Sequence, residues 1–237
     1  MPPSELRKEA REALAGKWGK GVCIILAYLL ITFILGIVEG IFKQGSFLNF
    51  IVSIAVAIIS IPLGFGLIVS FMKLKRGENT SAFDFLEDGF KNFAKAWKIQ
   101  LWTLLKLLLP IICLIVLIVL MFSVFITTAI SGENFNVAFA IVIAVLYIAC
   151  IVYIIARSLL YVLAQYIAID NPSLTAKECV LKSQEMMTGN RGNIFLLELS
   201  FIGWALLAVL TFGIGYLWLL PYMQIAFVCF YDRLKNK

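Results

Sequence analysis

The sequence predicts an all-α polytopic membrane protein, with six transmembrane helices in three hairpins, each hairpin preceded by a cytoplasmic amphipathic helix. Three observations carry this prediction. The 237 residues are 62% hydrophobic with a mean hydropathy of +0.98, where a soluble domain is roughly half apolar. The apolar residues fall in long stretches, and about 20 such residues cross a bilayer core. The positive charge is one-sided: of the 20 Lys and Arg residues, only Lys43, Lys106 and Arg157 lie outside the N-terminal segment, the second and fourth loops and the C-terminal tail. Lys and Arg accumulate in cytoplasmic loops. Both termini are therefore expected on the cytoplasmic side of a multi-pass membrane protein.

The first span is expected at residues 21–42. About twenty polar residues precede it and no small-x-small cleavage site follows, so it reads as a retained helix rather than a signal peptide. The second is expected at 48–74, where Pro62, Gly64 and Gly66 predict a kink. The third covers 99–130, with Pro110 inside, and the fourth 137–169. At 1.5 Å per residue these last two reach about 45–50 Å, against a core of about 30 Å. Their ends are expected to project into the cytoplasm, with Lys106 and Arg157 near the inner interface and Tyr161, Gln165 and Tyr166 below it. Residues 193–231 form the final apolar block, which Gly213-Ile214-Gly215 divides into two spans.

Three cytoplasmic segments precede the hairpins. They open with Ser4, Ser81 and Thr175, residues that cap helices by accepting an orphan N–H. Ser81 with Asp84, and Thr175 with Glu178, have capping-box spacing. In the second segment Phe83, Leu86, Phe90, Phe93 and Trp97 recur at steps of three and four, which predicts an amphipathic helix with an aromatic face. Gly16 and Gly189 let the chain turn into the membrane. The chain thus reads as one membrane domain, 1–237, with repeats at 1–74, 75–169 and 170–237.

Composition excludes several function classes. A pI of 9.1 reflects topogenic charge; nucleic-acid binding needs a basic face on a soluble domain, for which there is no room. The five cysteines form no CxxC pair and histidine is absent, so no disulfide, metal site or cofactor is expected. Without His, an HExxH motif or a nucleophile elbow, the chain reads as non-enzymatic.

The candidate polar membrane site is Glu198, Arg157, Lys106, Tyr161, Gln165 and Asp170. A carboxylate at Glu198, inside the fifth span, is costly. It reads as a proton or cation site or, as the favoured reading, as the ion-pair partner of Lys106 or Arg157. Arg157, Tyr161, Gln165 and Asp170 recur at helical spacing, and would line a cytoplasm-facing cavity or form an interfacial belt. Gly36 and Gly40 flank Glu39 and predict close helix packing. Asp170-Asn171-Pro172 reads as a helix stop, and Gly189-Asn190-Arg191-Gly192 as a helix C-cap rather than a phosphate loop.

Several blocks carry a family resemblance: Asp170-Asn171-Pro172; Lys182-Ser183 with Met186-Met187-Thr188-Gly189-Asn190; Leu199-Ser200-Phe201-Ile202-Gly203-Trp204; and Gly213-Ile214-Gly215-Tyr216-Leu217-Trp218 with Pro221-Tyr222. With Glu5-Leu6 and Ala13 to Gly19 they resemble the bacterial integral membrane family known as domain of unknown function nine-seven-five. The layout is more distantly similar to the membrane domain of some glycerophosphodiester phosphodiesterases, without their catalytic domain. The resemblance implies fold and location and no activity. The expected role is a structural or regulatory membrane partner with an amphipathic collar on the cytoplasmic side. The alternative is a small transporter or lipid-handling protein with a cavity open to the cytoplasmic leaflet. Expected partners are the lipid bilayer and either another membrane protein or a lipid ligand.

Overall fold

The computed structural model describes residues 1–131 and 137–236. Among them are eleven helices and no strand: α1 (Pro3–Leu14), α2 (Trp18–Ile41), α3 (Phe47–Arg76), α4 (Asp84–Lys91), α5 (Phe93–Ser131), α6 (Val137–Ser158), α7 (Ala164–Asp170), α8 (Ala176–Met187), α9 (Arg191–Leu199), α10 (Ile202–Leu210) and α11 (Tyr216–Lys235). Five are long and apolar enough to cross a membrane: α2, α3, the Phe93–Thr128 part of α5, the Ile141–Ser158 part of α6, and α9 with α10 as Arg191–Leu210. The last expected span, α11, is not among the five. It ends in Asp232, Arg233 and Lys235, and much of its length from Leu219 to Leu234 is buried in protein.

Burial is concentrated at one end of the bundle, the base. Leu6, Ala10 and Leu14 of α1 repeat at one helical face and are fully covered. So are most residues of α3 from Pro62 to Leu74 and the inner faces of α7 and α8. Towards the tips, Phe33, Ile41, Phe47 and Phe122 are exposed. In hydrocarbon such surface costs nothing, because lipid tails are as apolar as the side chains. Helix α11 sits inside the base. It touches the start of α2, where Pro221 lies against Gly21, and the end of α3, where Asp232 reaches Lys75.

Several local expectations are met and several are corrected. Thr175 and Glu178 close a reciprocal capping box on α8. Gly16 and Gly189 adopt φ of 73° and 82°, the left-handed region their turns require. Ser4 is no cap: α1 starts at Pro3, with no side-chain cap bond. Gly36 and Gly40 face open space rather than a neighbouring helix; Glu39 instead accepts a hydrogen bond from Ser53, across the α2–α3 hairpin. The fourth apolar stretch is not one helix. It breaks at residues 159–163, and buried Ser183 of α8 donates to the freed Leu160 carbonyl at 2.8 Å. The aromatic stripe of the second segment is also broken. Helix α4 ends at Lys91 and α5 begins at Phe93. Phe83, Phe90 and Phe93 are exposed and Leu86 and Trp97 half-buried, while Phe85 and Gly89 make the buried face.

That buried face explains where α4 sits. Gly66 on α3 and Gly89 on α4 bring the two backbones together. A Cβ on Gly66 would overlap the Phe85 carbonyl oxygen, and one on Gly89 the Pro62 carbonyl oxygen. Pro62 has no N–H, so the Ile58 carbonyl four residues earlier loses its helical donor. The Trp97 indole N–H supplies a replacement at 3.1 Å. A proline inside α3 is thus satisfied by α5. Gly66→Ala should lower stability by about 1–3 kcal/mol through overpacking. Gly64→Ala, which meets open space, should be neutral or stabilising by up to about 1 kcal/mol. Thermal melting of both variants in detergent checks this.

Candidate functional site

The base is tied together by an ionic lattice. The Asp170 carboxylate, at the end of α7, has a side chain only 4% exposed. Its Oδ1 lies 2.7 Å from Arg76, and its Oδ2 is 2.7 Å from Lys235 and accepts from the Tyr231 hydroxyl at 3.1 Å. Arg76 lies 3.8 Å from Asp232, which pairs with Lys75 at 2.8 Å. Lys75 also reaches Glu9 at 3.3 Å. Arg233 closes the run with Glu9 and Glu5, each at 2.9 Å. Four carboxylates (Glu5, Glu9, Asp170, Asp232) thus meet four cations (Lys75, Arg76, Arg233, Lys235), and the lattice is neutral. It joins α1, α3, α7 and α11.

Each member has a local reason to be there. Lys75 and Arg76 occupy the last turn of α3, where cations meet the negative end of the helix. Asp170 closes α7 just before Asn171-Pro172 stops the chain, which holds its carboxylate at the junction. Burial opposes ionisation of Asp170, but bonds from Lys235 and Arg76 outweigh it and hold the carboxyl below its ordinary value. Burial likewise opposes ionisation of Glu9, and the charge of Lys75 with bonds from Arg233 and Lys75 lowers it. Lysines secure neighbouring helix ends in the same way. Lys95 Nζ donates to the carbonyls of Ala168, Asn171 and Pro172 at 2.9–3.2 Å, and Lys17 Nζ to that of Leu74 at 3.1 Å.

The six residues expected to form a polar site do not converge. Asp170 belongs to the lattice. Tyr161 is buried, and its hydroxyl finds no partner among the described residues; neither does the buried Nε of Arg157. The break at residues 159–163 removes the single helical face that was to align Arg157 with Tyr161, Gln165 and Asp170. Lys106 and Gln165 are half-buried. The expected ion pair of Glu198 is absent: among the described residues no cation lies within 4.0 Å of its carboxylate. Beside this region lies an apolar cleft of about 360 Å³ between α6 and α9, lined by Val152, Ile155, Leu159, Arg191 and Phe195 among others. Sequence reasoning missed the lattice partners of Asp170. Lys75, Arg76, Arg233 and Lys235 read there only as topogenic charge.

No group of three or more Cys, Asp or Glu side chains among the described residues is placed to hold a metal ion. The family described as a protein of unknown function (DUF975) matches the whole chain, residues 1–237. The chain belongs to that DUF975 family. No curated protein and no solved structure matches it. The expected distant similarity to the membrane domain of glycerophosphodiester phosphodiesterases is not shown by these comparisons.

The lowered carboxyls of Asp170 and Glu9 set the sign of a pH dependence. A carboxylate depressed in the folded state stabilises above its unfolded pKa of about 4 and loses that stabilisation as pH falls through its folded value. Melting temperature in detergent should be flat for these groups from pH 8 to about 5 and fall below about pH 4. Asp170→Asn should start about 2 kcal/mol less stable at pH 7 and fall less steeply in acid.

Proposed function

We propose that this protein is a non-enzymatic, multi-pass protein of a bacterial cytoplasmic membrane that works as a structural or regulatory partner through a helical collar on its cytoplasmic face. The observation that carries the reading is the asymmetry of its packing. Core and ion pairs gather at the base, while the tips are bare apolar helices suited only to lipid. A protein whose rigid part lies at one membrane face is built to present that face.

Topology supports the same view. Arg233, near the C-terminus, binds Glu5 and Glu9 of the first helix, so both ends of the chain lie on one side. Five complete crossings would separate them. In our reading α9–α10 and α11 form a third hairpin that returns the chain to its starting side, with α11 packed in the base, and the excess of Lys and Arg favours a cytoplasmic base. Each hairpin then follows a short helix (α1, α4 or α8), in keeping with a threefold plan. The collar consists of α1 and α8, which bury Leu6, Ala10 and Leu14 and Cys179, Val180 and Met187. They leave Lys8, Glu12, Lys177, Lys182 and Glu185 exposed. The exposed Phe90 of α4 and Phe83 just before it complete it as an interfacial anchor.

The α6–α9 cleft favours a second reading, a lipid-handling protein open to the cytoplasmic leaflet. The two are separable. A photo-crosslinking amino acid at Lys182 or Glu185 should give a discrete protein adduct in cells, and one at Phe47 on a tip should not. Absence of any α8 adduct, together with lipid movement between leaflets in proteoliposomes of the pure chain, would replace the collar reading with the second.

A further inference from the structure

A second cleft lies where α1 and the start of α2 meet α10 and α11. It measures about 350 Å³ and is lined by Arg11, Trp18, Trp204, Trp218 and Tyr222, among others, within the size range of ligand pockets. Trp204 and Trp218, both in its lining, are about half exposed, at 49% and 52%. Tyr222 is buried, anchored by a bond from its hydroxyl to the Arg7 carbonyl at 3.1 Å and by an edge-to-face contact with Phe201.

The charges on α1 sort unequally around this cleft. Glu5 and Glu9 are engaged by Arg233, and Glu12 lies 4.0 Å from Lys8. Arg7 and Arg11, one turn apart on one side of the helix, have no counter-ion among the described residues. Arg7 donates only to the Ser200 carbonyl at 3.2 Å, and its Nε is buried without a partner. One guanidinium without a counter-ion among the described residues, that of Arg11, therefore lines an apolar cleft walled by tryptophans, and Arg7 lies one turn away on the same helix, outside the lining.

We infer that this cleft is a binding site for one anionic phospholipid of the surrounding leaflet. Its headgroup phosphate sits on Arg11, with Arg7 adding a second positive charge, and one acyl chain lies along Trp204 and Trp218. Guanidinium pairs with phosphate through short, charge-assisted bonds. Tryptophans sit at the level of lipid headgroups, and the cytoplasmic leaflet is anionic. A soluble phosphate would leave the tryptophan walls unused, and phosphatidylcholine, which carries the same phosphate, would bring its own quaternary ammonium charge beside Arg11. The site goes beyond the collar reading and does not depend on a protein partner.

The test is native mass spectrometry of the full chain in detergent, titrated with phosphatidylglycerol or phosphatidylcholine of the same acyl chains. The wild type should retain one phosphatidylglycerol and prefer it by about tenfold, because the ammonium of phosphatidylcholine is repelled by Arg11. Arg11→Gln should abolish the preference. Arg11 is exposed, so the variant should melt like the wild type. Trp204→Ala should weaken retention of both lipids, Lys43→Gln, exposed in the α2–α3 turn and outside both clefts, should change nothing, and inorganic phosphate should not displace the lipid. Equal retention of the two lipids by the wild type, or an unchanged preference in Arg11→Gln, would overturn the proposal.

Discussion

The buried carboxylate of Asp170 is the constraint on which the base depends. A charge that is 4% exposed needs partners, because desolvation is repaid only by close, well-directed cations. Arg76 and Lys235 supply them from α3 and α11, elements far apart in sequence. Meeting that need fixes the end of α3 beside the end of α7 and draws in the C-terminus. Asp232 and Arg233, on the same last turns of α11, then extend the contact to Lys75 and to α1. One buried acid thereby determines how four helices meet.

The rest of the base follows from backbone groups that need satisfying. Pro62 removes a donor from α3, and Trp97 replaces it. The break after Ser158 frees the Leu160 carbonyl, and Ser183 takes it. The end of α7 exposes carbonyls, and Lys95 collects them. In each case a helix interruption is matched by a polar group from a different element. Interruptions of this kind are tolerated in membrane proteins where neighbouring helices satisfy the backbone, and here they also serve as joints between helices.

Much of the membrane architecture was legible in the sequence because it rests on composition and length. The apolar stretches, Gly16, Gly189 and the Thr175–Glu178 box all signal through local chemistry, and the whole-chain family match agrees with the C-terminal blocks. What was not legible depends on long-range partners. Lys75 and Arg76 look the same in sequence whether they face lipid headgroups or Asp170. The Phe83–Trp97 periodicity is continuous as a pattern, but Gly89 gives α4 a different face to bury against Gly66, and Asn92 falls at the interruption. Glu198 and Lys106 share an apolar setting without meeting, since periodicity along separate helices does not fix their mutual rotation. The two clefts that include Arg191 and Arg11 in their linings are likewise products of packing, with no local signature.

The central claim is that the Asp170 lattice couples α3 and α7 at the base. A double-mutant cycle on Arg76 and Asp170, using Arg76→Gln and Asp170→Asn and their combination, tests it most directly by unfolding in detergent. Coupling of about 1–3 kcal/mol is predicted, as for charged groups in direct contact within a network. Additive losses, within about 0.5 kcal/mol, would contradict the account.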